Sequence, residues 1–299
     1  MLHLYGTEEN LKTVAALSFP FLDRAQAITP QALKQAYRGF LNTIQPSVPS
    51  ETDIEPCYVR ETKRVKEYLD IFSADSSLTD TRYQFDVLST ESPLVSEKAQ
   101  AALIRVRDRV ASLAQRDGSF AAVYPLAINA VFQAPSGMAG GGTTSGAVGV
   151  LWVDPRSTWE DRDLDEFLIH ELGHTLLFLD ECRFGLFTSY PELLKQDNWV
   201  TSAIRKTVRP LDKAYHSAVV ATEVLLARDE FLGHPDSSVL HPISPLLSQG
   251  AIRSIQDIDR PPVKGLLTGH ALGILHRCRD EVERMVRKND WNVADFNRP

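Results

Sequence analysis

The chain has 299 residues, 43% hydrophobic and 24% charged, which belongs to a folded globular protein and excludes a disordered or fibrous one. A net charge of −7 gives no electrostatic footing for nucleic acid or an anionic membrane, and no run of about 18 apolar residues spans a bilayer. Three scattered cysteines, Cys57, Cys182 and Cys278, exclude a disulfide scaffold, and with no signal-peptide pattern in the first twenty residues they point to the cytoplasm.

Residues 1 to about 45 read as helical. LKTVAALSFPFLDRAQ has apolar spacing broken by Pro20, and Thr29-Pro30 opens a second helix, QALKQAYRGFLNTI. A loop follows from Pro46, and VRETKRVKEYLDIF then has the pattern of a solvated amphipathic helix. Tyr83 to Leu88 alternates like a strand, and residues 96–116 form the clearest long helix. AAVYPLAINAVFQA is β-branched and aromatic enough for one strand, or for two short ones around Pro125. The Gly-rich stretch PSGMAGGGTTSGAVG lacks a Walker lysine and reads as a loop. It leads into a strand from Val148, ended by Pro155, and this order suits a sheet edge to which an extended peptide could add.

The stretch WEDRDLDEFLIHELGHTLLFLD carries an H-E-x-x-H, His170-Glu171-Leu172-Gly173-His174. Histidines four apart on a helix share a face, so both imidazoles reach one metal ion, and Glu171 stands beside them as a base or an orienting group. Ser157 or Thr158 is placed to cap this helix, and Glu160, Asp161, Asp163 and Asp165 suit its positive end. A chance match would sit on a surface helix. Phe167, Leu168, Leu172, Leu176, Leu177 and Leu179 make this one apolar, and buried imidazoles need partners, of which a metal is the simplest. Farther on, LDKAYHSAVVATEVLLARDEF reads as a helix capped by Asp212 and ended at Gly233-His234-Pro235. HPISPLLSQG reads as a Pro-punctuated loop, and residues 266–288 as a long helix.

A catalytic site needs a third protein ligand. Asp180 follows His170 by ten residues, but that placement requires a glycine turn where Leu177 stands, and His234 and His241, each before a proline, read as turn residues. His216 and Glu223 lie seven residues apart on one otherwise apolar helix face (Val219, Val220, Leu226). The plain alternatives are a hydrogen-bonded core histidine and a salt bridge from Glu223 to Arg209 or Arg228. Glu223 as ligand completes a hydrolytic zinc set with Glu171 as general base; His216 completes a three-histidine face suited to iron. Spacing leaves both open.

The order HELGH, TLLFLD, Trp199 and then VRPLDKAYHSAVVA resembles the HExxH-type peptide β-hydroxylases, iron(II)/2-oxoglutarate enzymes often encoded beside ribosomally made, modified peptides. The resemblance covers about residues 140–235, and its specificity lies in Arg209-Pro210 followed by His216. Gly173 and Tyr215 depart from the family, which carries a bulkier polar residue and a small residue there. The resemblance implies that His170, His174 and His216 bind Fe(II), and that 2-oxoglutarate chelates through its keto acid end. Arg209, or else Arg205, would pair with its distal carboxylate, and Glu171 would orient a ligand histidine.

Two further functions stand beside this dioxygenase. One is a gluzincin-like zinc metallopeptidase, with Glu171 as base, Glu223 as ligand and Tyr215 or His216 stabilising the oxyanion. The other is a binding module with a structural metal, disfavoured because such sites fill the fourth position with Cys or His and only Cys182 is near. The expected architecture is one catalytic domain over residues 1–299, helical over about 1–120, with a metal-site core over about 121–290. Its class is α+β, mostly helical, with a small mixed or antiparallel sheet next to the HExxH helix in a zincin-like manner. The expected partner is a peptide or protein substrate, not nucleic acid or a membrane.

Overall fold

Helical segments dominate the computed structural model, which describes residues 2–23, 27, 29–51, 55–75, 93–136, 139–237 and 240–293. Its elements are α1 (Leu2–Ser18), α2 (Pro30–Ile44), β1 (Cys57–Val59), α3 (Thr62–Asp75), α4 (Pro93–Arg116), α5 (Gly118–Ala127), β2 (Ala130–Gln133), β3 (Gly141–Gly142) and β4 (Val150–Val153). They continue with α6 (Asp161–Phe184), α7 (Tyr190–Leu193), β5 (Val200–Thr201), β6 (Val208–Arg209), α8 (Leu211–Ala227), α9 (Ser244–Ile258) and α10 (Gly269–Lys288). A mostly helical chain with a small mixed sheet agrees with the α+β expectation. Among the described residues no helix is long and apolar enough to cross a membrane. The chain condenses into two compact units, residues 7–165, and residues 1–6 with 166–299. The division falls inside α6 and again at Gly6, whose φ of 79° interrupts α1.

In the unit of residues 7–165, β1, β2 and β4 run parallel and β3 pairs antiparallel with β4, in the order β1-β2-β4-β3. Ala130–Gln133 and Val150–Val153 are buried at every position, as parallel strands covered on both faces are. Tyr68 stacks on Phe132 at 5.4 Å, and the buried Trp152 indole donates to the Ala134 carbonyl at 2.8 Å. Thr29 caps α2 by accepting the Ala32 N–H.

The strand expected around Pro125 is instead split into α5 and β2. Asp117 caps α5 through the Ser119 N–H, and Phe120 stacks on Tyr124 one turn later at 4.8 Å. Its last carbonyls are bound from far away. The Lys34 ammonium donates to Pro125, Leu126 and Ile128 at 2.7, 2.9 and 2.8 Å, and no local pattern announces that. The Tyr83–Leu88 strand lies outside the described residues.

In the unit of residues 166–299, α8, α9 and α10 pack around a core that includes Val219, Leu225, Leu247, Ile255, Ile274 and Leu275. The expected loop HPISPLLSQG is largely the first turns of α9. Pro245 sits in the first turn, where its missing N–H costs nothing, and Leu247, Ala251, Ile255 and Ile258 supply a buried face. Three boundaries differ from expectation. Asp212 lies inside the first turn of α8 with Pro210 at the cap position, and Thr268 caps α10. At α6, Asp163 accepts the Glu160 N–H, so the helix starts at Asp161 rather than from Ser157 or Thr158. A π-helical turn, Arg228–Leu232, follows α8 and ends at Gly233, whose φ is 78°.

Candidate metal centre

His170 and His174 project from successive turns of α6 with ring centroids 4.8 Å apart, and their Nε2 atoms face each other at 3.1 Å. An ion about 2.0–2.1 Å from each of two nitrogens, seen at roughly 90–109°, separates them by about 2.9–3.4 Å. The observed spacing fits two ligands on one ion, and it is also that of a hydrogen bond between two imidazoles. Helix α8 packs against α6 at Gly173, with Val220 Cγ2 and Glu223 Cγ 3.5 and 3.7 Å from where a Cβ would stand. This packing brings His216 onto His174, ring centroids 5.4 Å apart and Nδ1 to Nδ1 at 3.1 Å. Phe178, one turn beyond His174, lies 4.9 Å from the His216 ring.

On the other side, His170 Nδ1 meets Nε2 of His241 at 3.0 Å, the two rings stacked at 5.0 Å. His241 Nδ1 donates to Glu166 at 3.1 Å, and Arg228 donates to the same carboxylate through Nε and Nη2 at 2.8 and 2.7 Å. Four imidazoles thus run in file, His216–His174–His170–His241. Among the described residues no three His, Cys, Asp or Glu surround a common point. Two Nε2 atoms converge, and His216 approaches from the Nδ1 edge of His174.

The donor set has the right chemistry for a metal. Burial holds His170 and His174 well below the usual imidazole pKa. A proton on one imidazole of the file would also repel a proton on the next, and the charges of Arg205 at His170 and of Lys213 and Arg209 at His174 add to this. Burial, with Lys213, lowers His216 to about 3. All three are neutral at pH 7, with lone pairs to offer. His170 and His174 are only half-buried, so the file opens to solvent there. Arg205 is exposed between β5 and β6 and Arg209 is half-buried on β6, and both charges reach the imidazoles. Glu171 is buried with Oε1 3.8 Å from His170 Nε2, the atom that faces His174.

Other candidates are engaged elsewhere. The Glu223 carboxylate accepts the backbone N–H groups of His3 and Leu4 at 2.9 and 3.2 Å, and Arg228, suggested as its ion-pair partner, binds Glu166 instead. The buried Tyr215 hydroxyl donates to the Ala271 carbonyl at 2.9 Å, so the structure gives it a packing role in place of an oxyanion one. Asp180 binds His270 at 2.6 Å, and His234 meets Ser244 at 2.9 Å. Sequence reasoning missed His241, read as a turn residue, and with it Glu166 and Arg228. No family model matches the chain, and no curated protein matches it significantly.

Proposed function

We propose that the chain is a metal-dependent enzyme, an iron(II)/2-oxoglutarate-dependent hydroxylase acting on a peptide side chain. His170 and His174 hold the metal through Nε2, and His216 is the third protein donor. One observation carries this reading: two imidazole Nε2 atoms face each other at 3.1 Å and a third imidazole, His216, lies 3.1 Å from Nδ1 of His174, while Glu223 is bound to backbone amides. That leaves histidines as the donors, and a borderline iron(II) accepts imidazole nitrogen.

Iron(II) bound there would let dioxygen act as the oxidant, one oxygen atom going to the substrate carbon and the other to the 2-oxo acid, which is decarboxylated as co-reductant. The chain's own contribution is recognition and shelter. Arg209 and Arg205, whose charges act on His174 and His170, would supply a guanidinium for the distal carboxylate of a dianionic co-substrate. Phe178 packs over His174 and His216 and limits water there. The peptide substrate rests on the resemblance of HELGH and RPLDKAYHS to the peptide β-hydroxylases. Anaerobic titration of the iron(II)-loaded protein with 2-oxoglutarate tests the reading. A visible charge-transfer band that is lost in His216→Ala supports it. Absence of the band in wild type overturns it.

A zinc hydrolase is the second reading, favoured by the Glu171 carboxylate 3.8 Å from His170 Nε2, within reach of a water at the pair. Stoichiometric zinc as purified, with peptide cleavage abolished in Glu171→Gln, would select it.

A further inference from the structure

We infer that His241 is a positioning residue for the metal site, orienting His170 and fixing its tautomer through a buried relay that ends on Glu166 and Arg228. This inference rests on the reading of His170 and His174 as metal ligands. It adds a histidine 71 residues away from His170 that belongs to no ligand motif.

For a neutral His241 the hydrogen bonds have only one consistent direction. Arg228 grips Glu166 with Nε and Nη2, so Glu166 is a carboxylate and can only accept. His241 Nδ1, 3.1 Å from that carboxylate, must therefore carry the proton. In its neutral form His241 then has a bare Nε2, which can only accept. His170 Nδ1, 3.0 Å from it, must be the N–H, and a neutral His170 is left with its lone pair on Nε2. That atom faces His174 Nε2 at 3.1 Å. Each link forces the next, and the last one presents a metal-binding lone pair.

The relay is rigid because it is dry and anchored. Side chains of Arg228, Glu166 and His241 are 0, 1 and 3% exposed. Arg228 also donates to the Pro242 carbonyl and to Ser244 Oγ at 2.9 and 3.2 Å, tying the His241–Pro242 loop and the start of α9 to the same guanidinium. Glu166 lies one turn before His170 on α6, so helix geometry sets the distance that His241 bridges. Burial would raise the Glu166 pKa, but hydrogen bonds from His241 and Arg228 hold it at about 2. Groups that orient a metal-binding histidine typically carry about 10–100-fold in affinity.

Cobalt(II) binding to the full-length protein, by chelator competition and visible absorption, tests this beside nitrogen-15 NMR of labelled histidines and a melting curve. In wild type, His170 should appear as the Nδ1–H tautomer. His241→Ala should weaken cobalt binding about 10–100-fold, alter its absorption band and release that tautomer. His241→Gln, whose amide can accept from His170 and donate to Glu166, should restore most of the affinity and the tautomer. If His241→Ala melts lower but binds cobalt as wild type does with the His170 tautomer unchanged, His241 is packing only and the inference fails. If His241→Ala does not fold, a His241→Gln protein with weak cobalt binding and mixed tautomers overturns it equally. Wild type that binds no cobalt removes the metal reading itself, and the positioning role with it.

Discussion

Each unit buries a basic side chain almost completely, Lys34 in one and Arg228 in the other, and the two are used differently. Lys34, 1% exposed, spends its ammonium on three backbone carbonyls at the end of α5, and its hydrogen bonds stop there. Burial, with the nearby charge of Arg38, pushes its pKa down to about 6, opposed by Glu55. Arg228, equally buried, binds a carboxylate instead, and the bonds continue through two imidazoles to a half-open nitrogen. A buried charge partnered only by backbone finishes a helix. One partnered by titratable side chains in file sets the protonation of whatever stands at the open end.

The largest expected effect lies at Arg228. Arg228→Ala leaves Glu166 charged and dry, so urea unfolding should show a loss of roughly 3–5 kcal/mol, with metal affinity falling too. A loss below roughly 1 kcal/mol would mean that water reaches the pair and that the contrast with Lys34 is unfounded. Lys34→Met strands three carbonyls and should cost roughly 2–3 kcal/mol, yet leave cobalt affinity unchanged. Weakened cobalt binding in that variant would break the comparison from the other side.

Acid should act mainly on the imidazole file. His170, His174 and His216 have folded pKa values below the unfolded value of about 6.5, with His216 at about 3. The unfolded chain therefore binds more protons between those limits, so stability is full above about pH 6.5 and falls as the pH drops toward 3. Glu166, at about 2 when folded, adds to the loss once the pH passes below about 4.3. The metal-free protein should show a lower urea midpoint at pH 5 than at pH 7.5; equal midpoints would mean that the imidazoles charge freely in the folded state. The smallest stability effect belongs to Glu171→Gln, nearly isosteric, within roughly 1 kcal/mol by thermal melting. A larger loss would assign Glu171 to the framework instead of the chemistry.

What could be read from the residues was local. The His170–His174 pair follows from helix period alone, and His216 from its place on an apolar helix face after Arg209-Pro210. The same period recovered α2, α4 and α8, because caps and apolar stripes lie within a few residues of what they stabilise. It failed at α5, read as strand from its β-branched and aromatic residues, and at α9, read as a proline-punctuated loop. In α9 a first-turn position makes the proline harmless, and at α5 a lysine from α2 satisfies the last carbonyls of the helix.

By itself, then, the sequence determined which residues could share a helix face: the imidazole pair, its neighbouring glutamate, and the choice between His216 and Glu223 as a third group. Only tertiary structure decided what each of these groups meets. The amino-terminal turn takes the Glu223 carboxylate, α10 takes the Tyr215 hydroxyl, and the loop before α9 delivers His241 to the back of His170. The physical reason is that buried polar groups must find partners wherever the chain happens to bring them. Such partners, here 56 to 220 residues away, leave no periodic trace.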